Sequence, residues 1–474
     1  MKWTSKLLSL LLIFLPLAAA GLIHFAPQAQ VVKDAGGKAA EAEKAGNWSI
    51  AVTNLQTILA WEGWRADALE QLGRAEFELK QYEAAASAFE KARSARELSF
   101  DNIERLGLAY MQIGRAGDAQ ELWRAISLSA PTDFDFLMET ASKQREIGDM
   151  VGAVNTLLNA YHLRESDIEV NYLLGVQLAV TEPQNAVKFL TVSSTAGGSR
   201  EAVSKELLSE IENSEETDLL RSLRVGQILS NAGEWDLAAR SFDEVVNTSP
   251  QNGFAWALLG EALQHSGGSG FEELQKALSL DPKSDMVNAL MALYYRRQNK
   301  SEMAIDYLKK AIAANPKEAA WQIELGNTYA EAGNLQAALD AYSEATKVEP
   351  EDPTTWQALA SFCLSRNIEI SPTGIDAARK ALSLDPKNPE LLDLMGVGLL
   401  INDDPDSAER FFSQAVELAP ENATYHLHYG QLYIQKGDCP RASAELKEAI
   451  TLAQNDTRIS SNAERLLNGY CAGY

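Results

Sequence analysis

The chain has 474 residues, a formal net charge of −24 at neutral pH and a sequence pI of about 4.7. This negative charge argues against nucleic acid or an anionic membrane surface as a broad partner. A single hydrophobic core rarely grows beyond about 300 residues, which disfavours one compact globular domain as well. Because Ala, Leu, Glu and Lys are plentiful while aromatic residues make up only 8%, the composition is typical of an all-helical protein.

The N-terminal segment, residues 1–30, differs from the rest. Lys2 and Lys6 precede an apolar run from Leu7 to Ala26. This pattern is typical of a secretory signal peptide, with a cleavage site between Ala20 and Gly21. The run is also long enough, at roughly 20 residues, to stay uncleaved as a membrane-spanning signal-anchor helix. Both alternatives predict that the remaining chain is exported, either membrane-anchored outside the cytoplasm or secreted, whereas a buried cytoplasmic helix is the third alternative.

From Val32 to Asp456 one short phrase recurs about every 34 residues. It combines a small residue in one predicted helix with a small and a bulky residue in the next, and a proline often closes it. In the clearest copy the residues are Leu325-Gly326, Tyr329, Ala338, Tyr342, Ala345 and Pro350. The phrase resembles the tetratricopeptide repeat, a helix–turn–helix unit. The resemblance implies an all-α, right-handed α-solenoid of about twelve repeats. The residues themselves add an N-terminal hydrophobic helix before the repeats and a C-terminal capping helix after them.

Within each repeat a small residue is expected to face a large one, so that the two helices approach closely. The small residue of the first helix is Gly or Ala in every copy: Ala39, Gly73, Gly107, Ala141, Gly175, Gly226, Gly260, Ala292, Gly326, Ala360, Gly396 and Gly430. The bulky residue of the second helix is identifiable in most copies: Leu55, Phe89, Trp123, Leu157, Phe242, Leu308, Tyr342, Phe412 and Leu446.

The repeat pattern divides the chain into successive segments. After the N-terminal segment 1–30 we expect an N-terminal repeat array over 31–190 and a C-terminal array over 219–456. Between them, residues 191–218 are predicted to hold an irregular repeat and a candidate hinge, because Thr191 to Arg200 is typical of a loop. Residues 457–474 are predicted to form the C-terminal cap.

Catalytic chemistry is not indicated. The five histidines are scattered, and neither a phosphate-binding loop nor a serine-hydrolase or zinc-protease motif is found. We therefore predict no catalytic residues, no metal ligands and no cofactor, and we expect that the protein is not an enzyme.

The three cysteines carry one structural prediction. Cys363 stands where the repeat usually has a buried apolar residue. Cys439 opens the second helix of the last full repeat, and Cys471 follows the predicted cap. Helices of similar length that run up and then down bring their far ends together, so a Cys439–Cys471 disulfide is expected in an exported protein. Two unpaired thiols are the alternative.

The resemblance also implies a concave groove lined by first helices, where such arrays bind peptides. Ten residues are the candidates for its wall: Tyr172, Val176, Leu223, Gln227, Leu293, Arg296, Ile323, Asn327, Leu427 and Gln431. Some members of the family clamp a peptide carboxylate with Lys and Asn, but here Asn327 accompanies Ile323, so that clamp is absent. A mixed apolar and polar wall could hold an amphipathic or extended peptide, or could pack on itself.

These features predict an extracytoplasmic scaffold that binds a protein or peptide partner through its groove. Envelope assembly, secretion or polysaccharide export would suit such a scaffold, although only by analogy of fold. An accessory subunit that presents substrate to a separate catalytic chain is one alternative, and a self-associating structural surface protein is another. No nucleic acid is expected, and the membrane is expected to be contacted only through the N-terminal segment.

Overall fold

The computed structural model describes residues 30–128, 132–212, 217–453 and 456–473, and within these ranges every regular element is helical. The chain forms two compact units that divide between Glu216 and Thr217. The predicted N-terminal hydrophobic helix, with Ala20 and Gly21, lies outside the described residues. Of the helices in the described ranges, none has the length and apolar character needed to cross a membrane.

The first unit contains five helix pairs and one single helix in its described residues. Its helices are α1 (Gln30–Lys44), α2 (Trp48–Trp61), α3 (Ala66–Glu78), α4 (Tyr82–Ala95), α5 (Phe100–Gln112), α6 (Ala116–Leu128), α7 (Phe134–Glu146), α8 (Met150–Leu163), α9 (Ile168–Thr181), α10 (Pro183–Ser193) and α11 (Gly198–Glu212). Short turns join the two helices of a pair, so that they pack antiparallel against each other.

The second unit contains seven pairs and a closing helix in its described residues. Its helices are α12 (Asp218–Asn231), α13 (Trp235–Thr248), α14 (Gly253–His265), α15 (Phe271–Leu280), α16 (Asp285–Arg297), α17 (Ser301–Ala314), α18 (Ala319–Glu331), α19 (Leu335–Val348), α20 (Pro353–Ser365), α21 (Ile375–Leu384), α22 (Pro389–Ile401), α23 (Pro405–Leu418), α24 (Ala423–Gln435), α25 (Cys439–Leu452) and α26 (Thr457–Tyr470). A short π-helical segment, Ile370–Gly374, links α20 to α21. Within the described ranges the two units together therefore hold twelve pairs, in agreement with the predicted repeat count.

The predicted packing of a small residue against a large one is confirmed inside the pairs. A Cβ atom built on Gly107 would lie 2.4 Å from the indole of Trp123, and one on Gly396 would lie 2.7 Å from the ring of Phe412. Both rings are fully buried. Glycine therefore lets the two helices of a pair approach closely, and the large ring fills the space between them.

Turns and caps explain where the helices begin and end. Gly333, in the turn between α18 and α19, has a φ of +77°, which costs glycine little strain because it has no Cβ. Asn334 then accepts a hydrogen bond from the amide of Ala337 at 3.3 Å and so caps α19. Local chemistry and the repeat period therefore place the helix boundaries at the same positions.

Residues 191–200, which the sequence indicated as a loop, are largely helical. Only residues 194–197 separate α10 from α11, which is a 15-residue helix. The face of α11 that carries Leu207 and Ile211 is buried, and the hydroxyl groups of Ser193 and Ser204 are hydrogen-bonded at 2.8 Å. Among the described residues α11 has no partner helix with the repeat phrase and is held by contacts with α9 and α10 instead, and a hinge in this segment stays a prediction.

Candidate functional site

Two of the ten predicted groove residues belong to α9 in the first unit. Tyr172 and Val176 are 7% and 0% exposed, so neither offers a surface to a partner. On the side of Tyr172, α11 contacts both α9 and α10. Its Arg200 guanidinium lies 5.7 Å from the ring centroid of Tyr172 and is ion-paired with Glu169. A helix that the repeat phrase did not predict therefore covers the first-helix face at this end of the first unit.

The predicted polar groove residues in the middle of the second unit connect neighbouring repeats. Arg296 of α16 is ion-paired with Glu324 of α18. Asn327 donates from Nδ2 to Glu324 Oε1 at 3.4 Å, while its Oδ1 accepts a hydrogen bond from the hydroxyl of Tyr342 at 2.6 Å. Arg297 makes a similar bridge to Glu261 of α14, at 2.5 Å. These contacts pair the side chains with one another within a repeat or between neighbouring first helices.

The predicted apolar groove residues pack largely into the core, so little of their surface is exposed. Leu427 is buried, and Leu293 and Ile323 are half-buried and pack against buried clusters between repeats. Leu223 of α12 and the two glutamines of the set are also half-buried. These residues therefore expose less surface to a partner than a groove lining would require.

A cavity of about 350 Å³ opens farther along the second unit, against the first helices of three successive repeats. Its wall is formed by α20, α22 and α24 and the residue before α24: Gln357, Ser361, Glu390, Asp393, Leu394, Asn422, Thr424 and Tyr425. The prediction missed these residues. Tyr172 and Val176 lie three residues before and one residue after Gly175, and the same offsets from Ala360 and Gly396 lead to Gln357, Ser361 and Asp393.

Two acidic side chains, Asp393 and Glu390, line the cavity. Asp393 is 7% exposed, and its Oδ2 accepts a hydrogen bond from His428 Nδ1 at 2.8 Å. Burial raises the pKa of Tyr425, and the nearby carboxylates of Asp393 and Glu390 raise that pKa further. The two carboxylates therefore disfavour a further negative charge at the Tyr425 hydroxyl.

A second cavity, of about 630 Å³, lies beside the turn between α23 and α24 and reaches the closing helix. Its wall consists of residues 418–424 together with Ile459 of α26. Asn422 and Thr424 line both cavities, so both adjoin the beginning of α24. The last three repeats and the cap therefore carry both recesses.

The end of the second unit holds the predicted cysteine pair. Cys439, the first residue of α25, and Cys471, which follows α26, form a disulfide with their Cα atoms 5.3 Å apart. Cys471 is buried, so the bond holds the end of α26 against the last repeat. Cys363 is a buried free thiol, and burial raises its pKa to about 11, with a smaller contribution from Glu369. It occupies the apolar core position that the sequence indicated.

Two family models match the chain. The model described as "Cilia and flagella-associated protein 70 C-terminal domain" matches residues 272–465, within the second unit. A tetratricopeptide-repeat model matches residues 66–96, which correspond to α3 and α4.

Three curated proteins are similar to parts of the chain. The BBSome complex member BBS4 of Bos taurus is 25% identical over 48% of this chain and 44% of its own length. The interferon-induced protein with tetratricopeptide repeats 3 of Mus musculus is 28% identical over 30% of this chain and 35% of its own length. The human protein O-mannosyl-transferase TMTC1 is 25% identical over 41% of this chain and 22% of its own length. The chain thus spans less than half of each relative.

Two solved structures align over most of the chain. Yeast Tom70 covers 92% of this chain and 95% of its own, with 14% identity and a TM-score of 0.42. The APC/C hetero-tetramer Cut9–Hcn1 covers 91% of this chain and 95% of its own, with 14% identity and a TM-score of 0.39.

Proposed function

Because the chain is a tetratricopeptide-repeat protein, we propose that it is a scaffold that binds a partner protein through the first helices of its C-terminal repeats. Its helical repeat fold is of a generally non-catalytic type. Such a fold provides a long surface assembled from many short units, and one extended segment of a partner can contact several of them.

The cavity bounded by α20, α22 and α24 is the observation that carries this proposal. Three successive first helices meet there, as a peptide groove requires, and a volume of about 350 Å³ suits one or two side chains. Asp393 and Glu390 make the wall negative, so the preferred occupant is a Lys or Arg side chain of an extended segment. The net charge of −24 adds a long-range attraction for a basic partner.

Binding of short peptides by the full-length protein tests the proposal. The probes are two labelled peptides of equal length, one alternating Lys with Ala and the other alternating Glu with Ala, followed by fluorescence anisotropy. We expect the Lys peptide to bind and the Glu peptide not to bind. The double variant Asp393→Asn/Glu390→Gln should weaken the Lys peptide at least tenfold, since two carboxylates in the cavity would lose their charge.

The matched control is Glu272→Gln/Glu302→Gln, which removes the same two charges from exposed positions on the second helices α15 and α17. It should leave the affinity almost unchanged at moderate salt, because charges beyond a Debye length of about 8–10 Å are screened. An equal loss in both double variants would mean that net charge alone attracts the peptide, and this would contradict a binding site in the cavity.

We also propose that the repeats work outside the cytoplasm, tethered by residues 1–30 or released by cleavage after Ala20. Lys2, Lys6 and the apolar run that follows support this location. The Cys439–Cys471 pair supports it as well, because disulfides persist in oxidising compartments.

Protease added to intact cells, or to spheroplasts where an outer membrane exists, should digest the repeats of an exported chain. Protection of the repeats, with cytoplasmic control proteins also intact, would exclude an outside location. The mass of the mature chain then distinguishes cleavage after Ala20 from a retained tether.

A further inference from the structure

The first repeat has two exposed tryptophans that its fold does not use. Trp61 ends α2 and Trp64 lies in the turn to α3, and they are 64% and 71% exposed. The other tryptophans among the described residues are buried or half-buried. Exposing two large indoles only three residues apart in the sequence costs solubility and is unusual in a soluble protein, so a surface of this kind marks an interaction site.

These tryptophans lie at the end of the first repeat where the chain enters it. A short turn joins α1 to α2, so α2 runs back toward the beginning of α1. Val32 near the beginning of α1 and Ile58 near the end of α2 belong to the same buried cluster, which confirms this arrangement. Val31, next to the first residue of α1, is 49% exposed and adds apolar surface at this end.

The sequence immediately before α1 indicates what lies against this surface. The apolar run from Leu7 to Ala26 ends four residues before Gln30, where the described fold begins. If that run is inserted in a bilayer, Trp61 and Trp64 lie within a few residues' length of the lipid headgroups. Tryptophan is enriched at that depth, because its ring is apolar while its N–H can reach a hydrogen-bond acceptor.

The charged groups of this turn are paired with one another. Arg65 is ion-paired with Glu62 at 3.2 Å and also with Asp67. These three groups therefore leave one net negative charge beside the two indoles. An acidic protein is repelled by anionic lipid, and a single net charge in this turn keeps the local repulsion small.

We propose that Trp61 and Trp64 form an interfacial anchor that seats the first repeat on the lipid headgroup region of the membrane. This inference rests on the retained N-terminal tether proposed above. It specifies how the repeats are oriented at their attachment point, with the beginning of α1 and the end of α2 against the bilayer.

Tryptophan emission of the full-length chain in lipid vesicles tests the inference. The vesicles contain phosphatidylcholine and phosphatidylglycerol, with or without bromine on the acyl chains near the headgroup, since bromine quenches indoles that contact lipid. The wild type should lose a larger fraction of its emission to brominated lipid than Trp61→Phe/Trp64→Phe does. Trp48→Phe, which removes a half-buried indole at the other end of α2, should lose at least the same fraction as the wild type.

Flotation of the vesicles separates the two proposals. If the chain floats but the wild type and the Trp61→Phe/Trp64→Phe variant lose the same fraction of emission, the tether stands and the anchor is wrong. If the chain does not float, both the retained tether and the anchor are wrong. If the two indoles already emit as buried groups without lipid, a second copy or another part of the chain covers them, and the anchor is again wrong.

Discussion

Gly107 of α5 lies directly against the indole of Trp123 in α6, the second helix of the same pair. A Cβ atom on Gly107 would be 2.4 Å from Cε2 of the indole, which is closer than any real contact. Trp123 is fully buried and cannot move aside without disturbing the next repeat. This one contact therefore sets how closely the two helices approach.

We predict that Gly107→Ala destabilises the first unit. Overpacking a rigid buried site typically costs about 1–3 kcal/mol, which exceeds the gain in helix propensity that alanine brings. The midpoint of urea unfolding, followed by tryptophan emission, should fall. Gly117→Ala is the matched control, because Gly117 lies in α6 and a Cβ atom added there would meet nothing beyond its own helix within 4 Å. An equal midpoint for both variants would contradict the packing role of Gly107.

The same contact explains why most of the fold was predictable from the sequence. A period that pairs a small residue with a bulky one records a close helix approach, and the structure repeats this approach in pair after pair. The repeat pattern does not predict a helix, such as α11, that has no partner in a pair. Gly197 and Gly198 indicate a loop and do adopt positive φ, but α11 begins at Gly198 because its apolar face docks on α9 and α10.

The site was less predictable, because exposure depends on what covers a helix. Tyr172 lies three residues before the small residue Gly175, as a groove residue should, yet it is buried where α11 packs on α9. The repeat pattern alone does not predict this helix. Asp393 was within reach of the same offsets, since it precedes Gly396 by three residues. Its hydrogen bond with His428 of the next repeat, and hence the negative cavity, required the three-dimensional structure.

The half-buried groove residues allow a direct test of core against surface. We predict that Leu293→Glu and Ile323→Glu each lower the melting temperature, because both side chains pack against buried clusters and a charge there would be desolvated. Leu220→Glu is the control, since Leu220 is about half exposed in α12. If the first two variants kept the wild-type melting temperature but lost peptide binding, Leu293 and Ile323 would be groove residues, and the core assignment would be wrong.

The disulfide gives a prediction about the closing helix. Cys439→Ala and Cys471→Ala should each speed amide hydrogen exchange in α26, because the bond closes a long loop with a sequence separation of 32. The loop-entropy model assigns such a bond about 3–4 kcal/mol. The double variant should match the more affected single variant, since either change breaks the same bond. Effects that add in the double variant would show that each cysteine acts separately.

Thiol counting tests the same bond in the exported protein. After denaturation without reductant, alkylation should label Cys363 alone, one of the three cysteines. In the native state Cys363 should react slowly, because it is buried and its pKa is raised to about 11, which leaves little thiolate at neutral pH. Three alkylated thiols in protein taken from the envelope would contradict the disulfide.

The last prediction concerns two carboxyl groups in the first unit. Burial, together with a hydrogen bond and repulsion from Glu139 of α7, raises the pKa of Glu104 in α5 to about 7 from an ordinary value of 4.5. The folded chain therefore binds more protons than the unfolded chain between these values. The stabilisation that this proton brings is present below about pH 4.5 and is lost as the pH rises through about 7.

Glu104→Gln replaces the protonated carboxyl group with a neutral amide that can still donate a hydrogen bond, and it removes the titration. The variant should unfold at a higher urea concentration than the wild type at pH 8, where two adjacent carboxylates would otherwise repel each other, and the difference should shrink at pH 5. Glu83→Gln, an exposed change in α4, is the control and should show no such dependence on pH. A wild type and Glu104→Gln variant whose urea midpoints run parallel from pH 5 to pH 8 would show that Glu104 does not retain its proton.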